Sequence, residues 1–320
     1  MKSSRIGPEA RTGIHTLEAR REGCEQVGGG TRLNFDTATP LIIELKLKKI
    51  HGETDTAPQE LPLTMGNAVN EPKQDSQVFE FTVETPFGAL PKSRIEVPDV
   101  AMRLADIVPL AYMIASELVS LSAKHSERQG GPVRCSSGCS ACCRQLVPVS
   151  VPEAIFLVEF LLRQPHESRS PVLKRFESMH ERIAGGGLHD AIRQSSSDAE
   201  SDALGRKYFQ LQVACPFLVD DNCSIHEIRP IACREHNVTS DPSLCAAWLQ
   251  SPVKPLRLQR RVSQRLQALC ENLTGIQEGC ILMPLIFDWY DANREMAARS
   301  WPGPQLVSQL LDHILGSPGK

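Results

Sequence analysis

The stretch Arg134-Cys-Ser-Ser-Gly-Cys-Ser-Ala-Cys-Cys-Arg144 places four cysteines, Cys135, Cys139, Cys142 and Cys143, in one loop-like segment. Gly138 permits a tight turn before the second thiol, and the small Ser and Ala residues let the backbone fold back on itself. Three sulfurs at Cys-x3-Cys-x2-Cys spacing can converge on one point, as a metal ion requires. A second set answers the first: Cys215, Cys223, Cys233 and Cys245. Eight of the eleven cysteines therefore fall in two compact blocks, a pattern that points to metal ligation.

The second block has local order of its own. Cys215-Pro-Phe-Leu-Val219 is a short apolar run, Asp220-Asp221-Asn222 a turn, and Cys223 follows it. This predicts a small hairpin that brings Cys215 and Cys223 together across its ends. Ser224 stands three residues before Glu227, which predicts a capping box and a helical turn over 225–228. Arg229-Pro230 ends that turn or starts the next. Between Cys143 and Cys215 lie 71 residues. Closing such a loop costs about 4 kcal/mol, whereas zinc on four ligands returns on the order of 10 kcal/mol. A metal can therefore join the blocks.

The neighbours Cys142 and Cys143 limit the chemistry, because successive side chains diverge and seldom serve one tetrahedral ion together. Either they belong to two adjacent ions, or one is a supporting or reactive thiol. Eight thiols can make two four-sulfur sites, a polynuclear thiolate cluster, or one iron–sulfur cluster with spare cysteines. Four thiolates on a divalent ion carry excess negative charge. Arg134, Arg144, Arg229 and Arg234 lie beside cluster cysteines and can offset it while lowering thiol pKa values. The competing reading, arginines that cap helices or face water, is preferred for Arg134. His226 and His236 can each replace a thiol, with a surface or core role preferred for both. Cys270 and Cys280, on apolar stretches, read as buried small hydrophobes. Cys24 reads as an incidental thiol.

Around the blocks the hydrophobic period changes along the chain. Residues 1–40, with Gly28-Gly29-Gly30 and no apolar period, read as a disordered tail. Residues 41–97 read as a small β unit. Ile43, Leu45 and Leu47 alternate with charged residues over 41–50, and Phe79, Phe81 and Val83 alternate over 78–84, so two half-buried strands are predicted, packed on the helical part. From 98 to 320 the pattern is helical. Leu104, Ile107, Val108, Ala111, Ile114, Leu118 and Leu121 mark one helix, which Pro109 kinks or restarts after an Asp106 cap. Ser150-Val-Pro-Glu153 is a capping box ahead of an apolar helix over 155–162. Ser170-Pro171 starts another, ended by Gly185-Gly186-Gly187. A further helix runs through Ile192 towards Leu211, with a break at Ser195-Ser196-Ser197.

Leu258 to Leu273 predicts one more helix, whose outer face carries Lys254, Arg257, Arg260, Arg261 and Arg265 as a solvated face. Ile281 to Trp289 fits strand or helix equally, and Leu306 to Ile314 closes the chain as a helix. The fold class expected is α+β, predominantly helical.

Bulk properties exclude several function classes. Lys+Arg 35 against Asp+Glu 38 gives a net charge of −3, so no basic field argues for nucleic acid. Aromatic residues make up 5%, too few for a base-stacking platform. No signal peptide is recognised at the start and no apolar run looks long enough to span a bilayer, so no membrane role and a cytoplasmic location are expected. Thiols stay reduced there, which favours ligands over disulfides.

The motifs resemble a known family. Cys135-x3-Cys139-x2-Cys142-Cys143, Cys215-Pro216-Phe217-Leu218, Cys223-Ser224-Ile225-His226, Arg229-Pro230 and Cys233-Arg234 together look like the zinc/iron-chelating cysteine-cluster proteins (CxxCxxCC, or YkgJ-like), over about residues 130–250. Where relatives usually place Tyr after Ser-Ile, this chain has His226. The resemblance implies a metal-binding protein that chelates zinc or iron, with an iron–sulfur cluster as one form of the iron and the metal ion as the partner. It also offers a metalloenzyme reading, since some similar proteins are flagellin lysine N-methylases, although no glycine-rich S-adenosylmethionine loop is visible here. The same cysteine spacing holds the cluster of radical S-adenosylmethionine enzymes, but those carry it among alternating strands and helices. A thiol redox role for Cys142 or Cys143 lacks a thioredoxin-like context.

Overall fold

The computed structural model describes residues 48–49, 75–136, 138–194, 198–276 and 279–316. The expected tail over 1–40, Cys24, most of the 41–50 strand and the Ser195–Ser197 break lie outside the described residues.

In chain order the strands are β1 (Lys48–Lys49), β2 (Ser76–Phe81), β3 (Glu84–Thr85), β4 (Gly88–Ala89), β5 (Ser93–Pro98), β6 (Ala101–Arg103), β7 (Pro148–Val149), β8 (Leu218–Val219), β9 (Asn222–Cys223), β10 (Ile281–Leu282) and β11 (Ser300–Pro302). The helices are α1 (Val108–Arg128), α2 (Val151–Arg163), α3 (His166–Gly185), α4 (His189–Gln194), α5 (Asp198–Gln210), α6 (Ile231–Glu235), α7 (Ser243–Ala246), α8 (Val262–Thr274), α9 (Ile286–Ala292), α10 (Arg294–Ala298) and α11 (Gly303–Leu315). Helix dominates and the strands are short and antiparallel, which is the predominantly helical α+β class expected.

The amino-terminal sheet has the order β1-β5-β2. Phe81 and Val83 are buried as expected, and Phe79 faces Ile95 across the β2–β5 pair. The middle strand was not among the expected elements, although Arg94, Ile95, Glu96 and Val97 alternate strictly between exposed and buried. It separates the two strands that were expected to form the unit. Ile95 and Val97 are fully buried and belong to the same apolar core as the helices, and α11 packs on β5.

Several helix boundaries differ from the expectation. Of the two readings of Pro109, the start of a new helix holds and the kink does not, although Asp106 is not its cap. Pro109 lies in the first turn of α1, where a missing N–H breaks no helical bond. The Asp106 carboxylate instead accepts the Arg103 N–H at 2.7 Å, one turn earlier. Helix α3 begins at His166, after Pro165, so Pro171 lies inside it instead of at its start. Helix α8 begins at Val262, not Leu258, because the Glu235 carboxylate takes the Val262 N–H at 2.6 Å and ends the extended segment there. The basic run mostly precedes that helix. Arg260 donates to the Ile314 and Gly316 carbonyls at 2.6 and 3.1 Å, closing the carboxyl end of α11.

Contrary to expectation, the continuous helical stretch Leu104–Arg128 is long and apolar enough to cross a bilayer by length and composition alone. Here Leu110, Ala111, Ile114 and Leu118 are instead buried against the other helices. The aromatic centre of the core is Phe176 of α3, edge-on to Phe217 at 5.6 Å and to Phe287 at 4.9 Å. Phe217 lies two residues beyond Cys215, so core packing anchors the start of the second cysteine block.

Candidate metal centre

The first block is built by two tight turns. Gly138 takes φ +81°, a left-handed conformation that glycine adopts without steric cost. Cys139 N–H then donates to the Ser136 carbonyl at 3.2 Å. A 3₁₀ turn over Ala141–Arg144 follows, with Cys143 N–H on the Ser140 carbonyl at 3.0 Å. The second block opens on the expected hairpin: Leu218 pairs with Cys223 and Val219 with Asn222. Its turn is the two residues Asp220 and Asp221, both with positive φ (48° and 58°). The helical turn after it forms at His226–Ile228, but not through the expected capping box, because no side chain caps it and the Ser224 hydroxyl is buried without a partner.

The two blocks meet despite their separation in sequence. Cys215 N–H donates to the Cys143 carbonyl at 2.7 Å, and the Ser140 hydroxyl to Asp221 Oδ1 at 2.6 Å. Arg134 N–H donates to the Val238 carbonyl at 2.9 Å, and Val238 N–H reaches Cys135 Sγ at 3.4 Å. Helix α7, which carries Cys245, packs on the 3₁₀ turn of the first block.

Cys233 lies on α6, and two buried carboxylates fix that helix at both ends. Glu153, 1% exposed, accepts the Ile231 N–H at 2.6 Å and the Ser150 hydroxyl at 2.6 Å. The expected capping box at Ser150 and Glu153 thus exists, and the same carboxylate also caps α6. Glu235, 3% exposed, caps α8 through Val262 N–H and takes the Ser263 hydroxyl at 2.6 Å. Burial raises the pKa of both carboxyls against these donors.

The thiols repel one another's ionisation in two overlapping groups. Cys135 is pushed up by burial and by Cys142 and Cys139. Cys245 is pushed up by burial and by Cys135, Cys139 and Cys142. In the other group, burial pushes Cys215 up to about 12, with Cys223 and Cys142 adding to it. Burial also raises Cys233, with Cys215, Cys142 and Cys223 acting in the same direction. Cys142 belongs to both groups. Its own pKa is lowered by a hydrogen bond from the Cys143 thiol, which is raised in turn, so Cys142 is the thiolate of that pair.

One cation serves most of this charge. Arg229 stabilises the thiolates of Cys135, Cys142, Cys223 and Cys233. Arg234 acts on Cys223, while Arg144 turns back to Ser140. Arg134 acts on Asp241 and not on a thiol, in line with the preferred reading. Arg175 of α3 was missed. It donates to the Pro216 carbonyl at 2.5 Å and faces Cys215, and nothing local in the sequence marks it. His226 is 61% exposed at its side chain and His236 is exposed, so the surface reading describes both. Cys270 is buried as expected. Cys280 is exposed, against expectation, and follows Gly279 in a left-handed conformation.

Among the described residues, no three His, Cys, Asp or Glu side chains converge closely enough to hold an ion as they stand. The chemistry of the lining nevertheless fits one. Ser224 Oγ, next to Cys223 in the chain, and Arg229 Nε, whose charge acts on four of the thiols, are buried donors without a hydrogen-bond partner. An anionic thiolate centre is the acceptor that such a set lacks. Sulfur ligands of this number suit zinc or iron and not hard cations.

Comparison with known proteins agrees with the geometry. No curated protein and no solved structure matches the chain. The family model CxxCxxCC, described as a "Putative zinc- or iron-chelating domain", matches residues 134–271, from the first block through α8. That span holds all eight cluster cysteines together with Arg229, Glu153 and Glu235, so the chain is similar to the CxxCxxCC zinc- or iron-chelating family over residues 134–271.

Proposed function

We propose that the chain chelates zinc or iron at two adjacent four-sulfur sites that share Cys142. Cys135, Cys139, Cys142 and Cys245 form one set. Cys215, Cys223 and Cys233 form the other, completed by the shared Cys142. The observation that carries this reading is the meeting of the two blocks, through Cys215 N–H on the Cys143 carbonyl at 2.7 Å and the packing of α7, with Cys245, on the 3₁₀ turn of the first block; the directions of the thiol pKa shifts suggest the division into two sets. It also assigns the adjacent pair, with Cys142 as the ligand and Cys143 as a supporting thiol hydrogen-bonded to it.

An ion bound by four thiolates supplies a cross-link between distant chain segments and leaves no open coordination position, so the role is structural or accessory. Binding draws the thiols inward from their present spacing, and Arg229 offsets the charge as they ionise. Such chemistry needs reduced thiols, which supports a cytoplasmic location.

Metal analysis with an absorption spectrum, on protein purified without air, tests the reading. It expects about two ions per chain. Colourless protein identifies zinc, and brown protein with acid-labile sulfide identifies an iron–sulfur form. Protein that takes up no zinc or iron would overturn it.

A further inference from the structure

Helix α6 carries Cys233 yet has little to hold itself together. It is five residues long, Ile231–Glu235, too short to persist without outside support. Its N-cap is Pro230, which has no side-chain acceptor to offer the first amides of the helix. The acceptor comes from another part of the chain. Glu153 Oε1 takes the Ile231 N–H at 2.6 Å across 78 residues. The second oxygen of the same carboxylate, Oε2, takes the Ser150 hydroxyl at 2.6 Å and the Ser150 N–H at 3.2 Å. Glu153 is buried, so water does not replace a partner that is lost.

The partners of this carboxylate belong to the two cysteine blocks. Ser150 stands seven residues past Cys143 and directly follows β7, on which α6 packs. Ile231 stands two residues before Cys233. One side chain therefore bridges the exit of the first block and the helix of the second. Among the described residues, its hydrogen bonds go to Ser150 and Ile231 and not to the segments that carry Cys135, Cys139 and Cys245. We propose that Glu153 is a positioning residue of the metal centre, whose bridge holds Cys233 where the second thiol set can close on an ion. Its loss weakens the ion that Cys233 helps to hold and spares the other. This role rests on the assignment of Cys233 as a ligand.

Two substitutions break the bridge in different ways. Glu153→Asp keeps the charge but is one methylene too short to hold Ser150 and Ile231 together. Glu153→Gln keeps the length but has one acceptor oxygen for two sets of donors. Zinc affinity is measured on the full chain by competition with a chromophoric chelator, in two backgrounds. Cys139→Ser leaves the site that contains Cys233, and Cys233→Ser leaves the other. Each Glu153 substitution should weaken zinc about tenfold in the first background, the lower end for a residue that supports a ligand from behind, and leave it unchanged in the second. In metal-free protein the Ile231 amide should exchange its hydrogen faster in both variants. Unchanged affinity in the Cys139→Ser background overturns the proposal, and so do equal losses in the two backgrounds. Ile314→Val, a core change on α11, is the control for general destabilisation. It should leave both affinities alone; a loss confined to the Cys233 site there would make Glu153 merely structural. If Glu153→Asp does not fold, Glu153→Gln decides by the same criteria. If Cys233→Ser binds as many ions as the parent, the ligand assignment has failed; if it loses one while the Glu153 variants bind normally, only the bridge has failed.

Discussion

The Cys215 N–H donates to the Cys143 carbonyl at 2.7 Å, joining two cysteine blocks that are 71 residues apart in the chain. Neither sulfur takes part in this bond. The polypeptide therefore aligns the two thiol sets through its backbone.

That alignment makes the ligand sets separable by substitution. Cys139→Ser and Cys245→Ser should each lose one ion of two, Cys233→Ser should lose the other, and Cys142→Ser should lose both or leave only a weakened site. Cys24→Ser should change neither metal content nor melting temperature. Metal-to-protein ratios after gel filtration check this, and a Cys142→Ser variant with full metal content would refute the shared position.

Arg229 is the cation that faces four of the thiols. In metal-free protein, Arg229→Gln should raise their pKa values, so alkylation at neutral pH slows several-fold and its pH profile moves upward. Arg229→Lys should retain part of the effect, as a point charge without the guanidinium fork. Identical alkylation profiles for parent and Arg229→Gln would remove Arg229 from this role.

Glu153 couples stability to pH. Burial raises its folded-state pKa above the ordinary glutamate value. The unfolded chain therefore releases this proton first as pH rises. The contribution of Glu153 to stability falls from the ordinary glutamate range upward and levels off above the raised value. Glu153→Gln removes that dependence, so the parent should lose stability relative to the variant between acid and neutral pH. Glu153→Ala strands the buried Ile231 N–H and should cost about 1–3 kcal/mol. Urea unfolding at several pH values checks both.

The hairpin turn offers a gain. Asp220 holds φ at 48°, a conformation that costs an L-residue roughly 1–2 kcal/mol. Asp220→Gly should raise stability by about 1 kcal/mol. Asp221→Gly relieves the same strain at φ 58° but loses the bond from Ser140 at 2.6 Å, so it should gain less or nothing. Thermal melts of the two variants give the comparison.

Periodicity and spacing in the chain by themselves determined the helical character, the Ser150–Glu153 capping box and the hairpin before Cys223, because each is encoded within a dozen residues. Helix starts set from a distance were not legible. Glu235 fixes the start of α8 from 27 residues away, and Glu153 caps α6 from 78 residues away. Strand β5 alternates as clearly as β2, yet its central place depends on which strands it pairs with. Tertiary structure alone decided which thiols face each other and that Arg229 and Arg175 supply the counter-charge. The reason is physical: periodicity reports which face of an element is buried, whereas charge, hydrogen bonding and ligand grouping depend on distances between elements that local sequence does not specify.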